Sequence, residues 1–117
     1  MRIDIPDQSR VIARYGEAEQ VCTCLEELAE LSIAVSKMHR MKNQDSSVVG
    51  AYYNLVEEMA DVLIMIQQMK LIYGIEDHEI QTMVNRKWAR QMKRMQIPRG
   101  GKADDIIGNN DQGWDFH

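Results

Sequence analysis

Apolar residues recur along this chain at steps of three and four, and almost nowhere at steps of two. Positions so spaced share one face of an α-helix, whereas a half-buried strand would alternate. Val21, Leu25, Leu28, Leu31 (or Ser32) and Val35 keep this period and predict a long helix from about Glu17 to Met41. A second long helix is predicted from about Gly50 to Tyr73, with Tyr52, Leu55, Val56, Met59, Leu63, Ile66 and Met69 turned inward. A short helix precedes them, opening near Asp7 or Ser9, either of which can cap it, and ending at Gly16. A last helix opens at Glu76 or Asp77 and reaches about Met95, after Gly74 has supplied a left-handed stop. The polar run 42–47 reads as a loop. Pro98 and four of the seven glycines crowd the C-terminal end, which sets the expected division at 1–97 for a helical domain and 98–117 for a Gly-rich tail. Long helices joined by short loops pack as an antiparallel bundle, so the expected class is all-α with two long central helices.

Composition narrows the functional classes. At 44% hydrophobic and 27% charged, the chain has the balance of a globular domain and not of a disordered segment. Its net charge of −4 argues against a partner that is a nucleic acid polymer, whose phosphates call for a basic surplus. A free nucleotide stays open, because a bound divalent cation reverses the local sign. No stretch approaches the roughly 18 apolar residues of a membrane span, and the acidic N-terminus lacks a signal-like apolar run. The expectation is a cytoplasmic protein without a membrane partner. Cys22 and Cys24 diverge by about 200° on a helix, so they neither bridge nor share a metal, and are read as small buried or half-buried residues in a reducing compartment. The nine methionines are read as core filler.

Two acidic segments echo each other: Glu26-Glu27-Leu28-Ala29-Glu30 and Glu57-Glu58-Met59-Ala60-Asp61. In each, one carboxylate is followed three residues later by another, Glu27 by Glu30 and Glu58 by Asp61. Such pairs share a helix face with Cβ atoms about 5–6 Å apart. If the two faces meet across an antiparallel interface, four carboxylates converge, and like charges at that range need a cation. Hard oxygen ligands select Mg2+ or Mn2+ over zinc or copper. Against this stands the common case of acidic pairs on a solvated helix face. The shared pattern, the small Ala29 and Ala60 that let helices approach, and the apolar flanks of both segments favour the metal reading. Gln20, two turns before Glu27, lies on roughly the same face, where its amide can read a base edge. Trp88, Tyr52 and Tyr53 are candidates for stacking on a base, and more ordinarily core or interface residues. His39, His78 and His117 are scattered and read as surface residues.

These segments, with their neighbours, resemble the MazG family of the all-alpha NTP pyrophosphatases. EELAE at 26–30 and EEMAD at 57–61 match its EExxE and ExxD blocks, and Tyr15-Gly16-Glu17-Ala18-Glu19-Gln20 is similar to its lead-in. Gly74-Ile75-Glu76 is similar to its turn, and Asn85-Arg86-Lys87-Trp88-Ala89-Arg90 to the basic segment of its last helix. The likeness covers residues 10–95. It implies that Glu27, Glu30, Glu58 and Asp61 bind Mg2+, and that Lys87 and Asn85, helped by Arg90, reach the phosphates of a nucleoside triphosphate. Many members carry a second basic residue where this chain has Gln91; Arg94 lies a turn further on. The family's reaction releases pyrophosphate from an NTP or dNTP and leaves the monophosphate, often to clear non-standard nucleotides. The resemblance also implies a homo-oligomer, a dimer or tetramer. Chemistry alone asks for a carboxylate free to take a proton from water, with Glu27 and Glu30 as candidates.

Three other readings compete. A ferritin-like di-iron bundle needs Glu-x-x-His, but Ile33 follows Glu30 and Ile64 follows Asp61 at that spacing. A phosphoribosyl-ATP pyrophosphohydrolase fits the lead-in and basic segment less well. A non-catalytic helical interaction module would leave both acidic faces in solvent.

Overall fold

The computed structural model describes residues 2–41 and 48–96; among them are four α-helices and no strand. They are α1 (Ser9–Tyr15), α2 (Glu17–Met41), α3 (Val48–Tyr73) and α4 (Asp77–Met95). The predicted loop at 42–47, His117 and the tail lie outside the described residues. The chain divides into two compact units at Ile75 and Glu76.

In the first unit, the N-cap of α1 is Gln8, without a side-chain capping bond, and not Asp7 or Ser9 as expected, although the Asp7 carboxylate accepts hydrogen bonds from the Ser9 backbone N–H (3.1 Å) and the Ser9 hydroxyl (2.8 Å) beside it. Gly16 separates α1 from α2 at φ 93°, a conformation that costs any L-residue strain. Its N–H bonds to the Ile12 carbonyl at 2.8 Å. α3 begins two residues earlier than the sequence predicts and ends at Gly74, whose φ of 67° is the expected left-handed stop. The Ile75 N–H then returns to the Lys70 carbonyl (2.9 Å), satisfying an otherwise orphaned acceptor.

α2 packs chiefly on α3, and α1 touches both. The buried residues of α2 are Gln20, Cys24 and Ala34; those of α3 are Ala51, Val62, Met65 and Gln68. This corrects the predicted inward face. Leu25, Leu28 and Val35 of α2 and Tyr52, Val56, Met59 and Ile66 of α3 are exposed, Leu25 at 63%. Ala29 and Ala60 are exposed as well, and Ala34 and Ala51 are the buried small residues. The physical reason is that a close helix pair favours small side chains at its contact line, and the larger apolar residues stand to either side of it. Cys22 is exposed, contrary to expectation, while Cys24 is buried and both are free.

The segment before α1 is held by buried amides. Gln68, 2% exposed, donates from Nε2 to Gln8 Oε1 at 3.0 Å, and Gln8 donates in turn to the Pro6 carbonyl at 2.9 Å. In the second unit, the Glu79 carboxylate accepts from the Glu76 backbone N–H at 2.9 Å, one half of a capping box that opens α4. α4 has no buried residue; only Arg90 and Met92 are half-buried.

Candidate metal centre

The acidic echo becomes a cluster through helix register. Gln20, Cys24, Glu27 and Ala34 succeed one another at three- to four-residue steps or multiples of them, as do Ala51, Glu58, Val62 and Met65. Glu27 and Glu58 therefore occupy positions on the contact line itself, where a bundle ordinarily places apolar side chains. Glu27 feels the charge of Asp61, and Glu58 that of Glu30. The partner number falls as the residue number rises, which is the signature of antiparallel helices.

Glu27, Glu58 and Asp61 each offer a carboxylate oxygen, and these atoms lie within 4.8 Å of one another. Glu30 stands outside that group on an exposed position, yet its charge acts on both Glu27 and Glu58. Both glutamates are half-buried, and each keeps one buried oxygen, Oε1, that accepts no hydrogen bond. Burial holds the Glu27 carboxyl above its ordinary 4.5, helped by the charges of Asp61, Glu30 and Glu26. Glu58 is raised for the same first reason, then by Glu30, by hydrogen bonding to Asp61 and by the charges of Asp61 and Glu27. Leaving buried carboxylate oxygens unsatisfied and next to like charge is unfavourable. A divalent cation with oxygen ligands removes both costs, so the residues present fit a hard ion such as Mg2+ or Mn2+. Exposed acidic groups are common without a metal; the two orphaned oxygens are what set this cluster apart.

The other candidates are distributed differently. Gln20 shares the Glu27 face, as its spacing implies, but is buried to 6% exposure. Asn85, Lys87 and Arg90 all lie on α4, in the second unit. There Asn85 accepts a hydrogen bond from Gln81 Nε2 at 3.0 Å, Lys87 is exposed, and Arg90 is half-buried. Tyr52, Tyr53 and Trp88 are exposed, and His39 and His78 are at the surface as expected. An apolar groove of about 400 Å³ between the N-terminal segment and α3 is lined by Ile3, Pro6, Val56, Met59 and Leu63 among others. Val56 and Leu63 project about 140–160° away from Glu58 around the helix, so that groove opens away from the carboxylates. Sequence reasoning missed Gln68 and Gln8, whose burial depends on a pairing sixty residues apart that no local pattern signals.

Compared with known proteins, the chain matches no family model, no curated protein and no solved structure. No helix among the described residues is long and apolar enough to cross a membrane.

Proposed function

We propose that this protein is a Mg2+-dependent nucleoside triphosphate pyrophosphohydrolase that converts an NTP or dNTP and water to the monophosphate and pyrophosphate. The observation that carries this reading is the trio Glu27, Glu58 and Asp61, each offering a carboxylate oxygen within 4.8 Å of the others, with Glu27 and Glu58 each also keeping a buried Oε1 that has no hydrogen-bond partner. Glu27, Glu58 and Asp61 hold the ion, with Glu30 at the edge of the site. A bound Mg2+ supplies phosphate neutralisation and an acidified water there. Glu30, outside the tight group, keeps its carboxylate available and takes the proton as water attacks the α-phosphorus; the bond to the bridging oxygen breaks and pyrophosphate leaves. By the sequence resemblance Lys87, Asn85 and Arg90 serve the phosphates, whereas the burial of Gln20 speaks against a part for it in reading the base. The choice of the α–β bond, the roles of the α4 residues, a MazG-like fold and the clearance of non-standard nucleotides rest on the sequence resemblance.

The many exposed large apolar residues of α2 and α3 support assembly as a homo-oligomer, since extensive exposed apolar surface often marks association. A cation site fits the cluster better than an inert acidic face, because Glu27 and Glu58 each keep a buried oxygen without a hydrogen-bond partner. The test is a pyrophosphate-release screen over ordinary and modified NTPs and dNTPs with Mg2+. The wild type should turn over at least one of them, and Glu58→Gln, Asp61→Asn and Glu30→Gln should each lose at least about 10²-fold, the scale of removing a key transition-state group. Equal activity in the variants, or none in the wild type, counts against the proposal.

A further inference from the structure

Among the described residues, the buried polar side chains are three glutamines, Gln8, Gln20 and Gln68. Helix register places two of them at one level. Glu27 feels the charge of Asp61 across the antiparallel pair. Seven residues back along α2 is Gln20, and seven residues on along α3 is Gln68, so these two stand opposite each other. The glutamine layer lies two turns, about 10.5 Å, from the carboxylates. Gln8 joins it from the segment before α1, accepting from Gln68 Nε2 at 3.0 Å. Gln8 is itself tied to α2 through the backbone. Its carbonyl accepts from Ile12 N–H (3.1 Å), the Ile12 carbonyl from Gly16 N–H (2.8 Å), and the Gly16 carbonyl from Gln20 N–H (3.1 Å). One hydrogen-bonded line thus runs from Gln8 to Gln20, and the side-chain bond to Gln68 closes it onto α3.

The rest of the α2–α3 contact does little to set how far one helix slides along the other. Cys24, Ala34, Ala51 and Met65 are small or unbranched, and such side chains adapt to more than one register. The carboxylates act against the observed register, because without a cation they repel one another across it. The glutamine bond is directional and buried, so a slip of one turn breaks it and strands both amides. It is a poor device for stability alone. Gln68 Oε1 is buried without a partner, a cost that two apolar side chains would not carry. A buried polar contact of this kind fixes register at some expense of stability.

We infer that Gln8 and Gln68 are positioning residues for the metal centre: their bond locks the one register of α2 on α3 in which Glu27 faces Asp61, before any ion is present. This role rests on the cation site proposed for the carboxylates, while the lock itself is readable without an ion.

Distances between spin labels on α2 and α3 of the full chain test it, with labels at Cys22 and at Tyr53→Cys, both exposed, in a Cys24→Ala background. Dilution with unlabelled chain confines the reading to distances within one chain. The comparison is with Gln8→Met combined with Gln68→Met, which keeps side-chain volume while removing both amides. Because both polar partners go together, the urea midpoint of this double variant should stay at or above that of the unsubstituted chain. Without metal, the unsubstituted chain should give one distance. The double variant should add a second population displaced by about 5 Å, one helical turn, and its affinity for Mn2+ should fall at least tenfold. A double variant that keeps the single distance overturns the lock, whether or not it unfolds more easily, since the pair would then be merely structural. A shifted register with Mn2+ affinity unchanged overturns the positioning role. An unsubstituted chain that takes up no Mn2+, with distances as expected, contradicts the cation site and with it the positioning role, while the register lock holds.

Discussion

At the scale of single residues, the feature that needs explaining is a pair of glutamates on a helix contact line. Glu27 and Glu58 take positions where leucine or alanine would stabilise the pair, and each leaves an oxygen buried without a partner. Their carboxyls hold protons above the ordinary value of 4.5, first because burial disfavours the charged form. The sign of the linkage follows. A carboxyl with a raised folded-state pKa binds protons more tightly folded than unfolded, so its contribution to stability is present at low pH and is lost as pH rises through the raised value. Without divalent cations, the fold should weaken as pH rises from 4.5 through the raised values of these two groups. Asp7, held below its ordinary 3.8 by Ser9, acts in the opposite sense, and only at more acid pH. Urea unfolding of wild type beside Glu58→Gln should show the variant gaining relative stability as pH rises, and millimolar Mg2+ should remove that advantage by stabilising the wild type alone. A difference between the two that is independent of pH would mean that Glu58 is not strained by its surroundings.

At the scale of elements, helix limits were readable because the punctuation is chemical. Gly16 and Gly74 sit where the backbone adopts positive φ, and Glu76 with Glu79 opens α4. α2 follows the sequence-based limits, Glu17 to Met41. The facing of the long helices was not readable. Hydrophobicity alone turns Leu25, Leu28, Val56 and Met59 inward, but the α2–α3 contact is made from Ala34, Ala51, Cys24, Met65 and the carboxylates. A sequence shows how apolar each face is and not which apolar face meets which partner, and here the larger residues face away from the intrachain contact. The acidic cluster was legible all the same, because i, i+3 spacing fixes which carboxylates share a face whatever that face meets. Two substitutions separate the observed facing from the one expected from periodicity. Ala34→Leu, at a site 1% exposed, should destabilise by about 1–3 kcal/mol through overpacking. Leu25→Gln should change the stability of the single chain by no more than about 0.5 kcal/mol. Thermal or urea unfolding at low protein concentration reads both; the reverse order of effects would restore the periodicity-based face.

At the scale of the whole molecule, the described residues form two compact units, and the chemistry proposed draws on both. The first carries Glu27, Glu30, Glu58, Asp61 and Gln20; the second carries Asn85, Lys87 and Arg90. Large apolar residues of α2, α3 and α4 are exposed. All of this depends on the facing carboxylates of α2 and α3 binding a divalent ion. Titration of the full chain into Mn2+, followed by the loss of the free-ion electron paramagnetic resonance signal, measures that directly. The wild type should sequester at least one Mn2+ per chain, release it to excess Mg2+, and lose this capacity in Asp61→Asn. A wild type that leaves the free-ion signal undiminished, or an Asp61→Asn variant that binds as well as the wild type, would contradict the account.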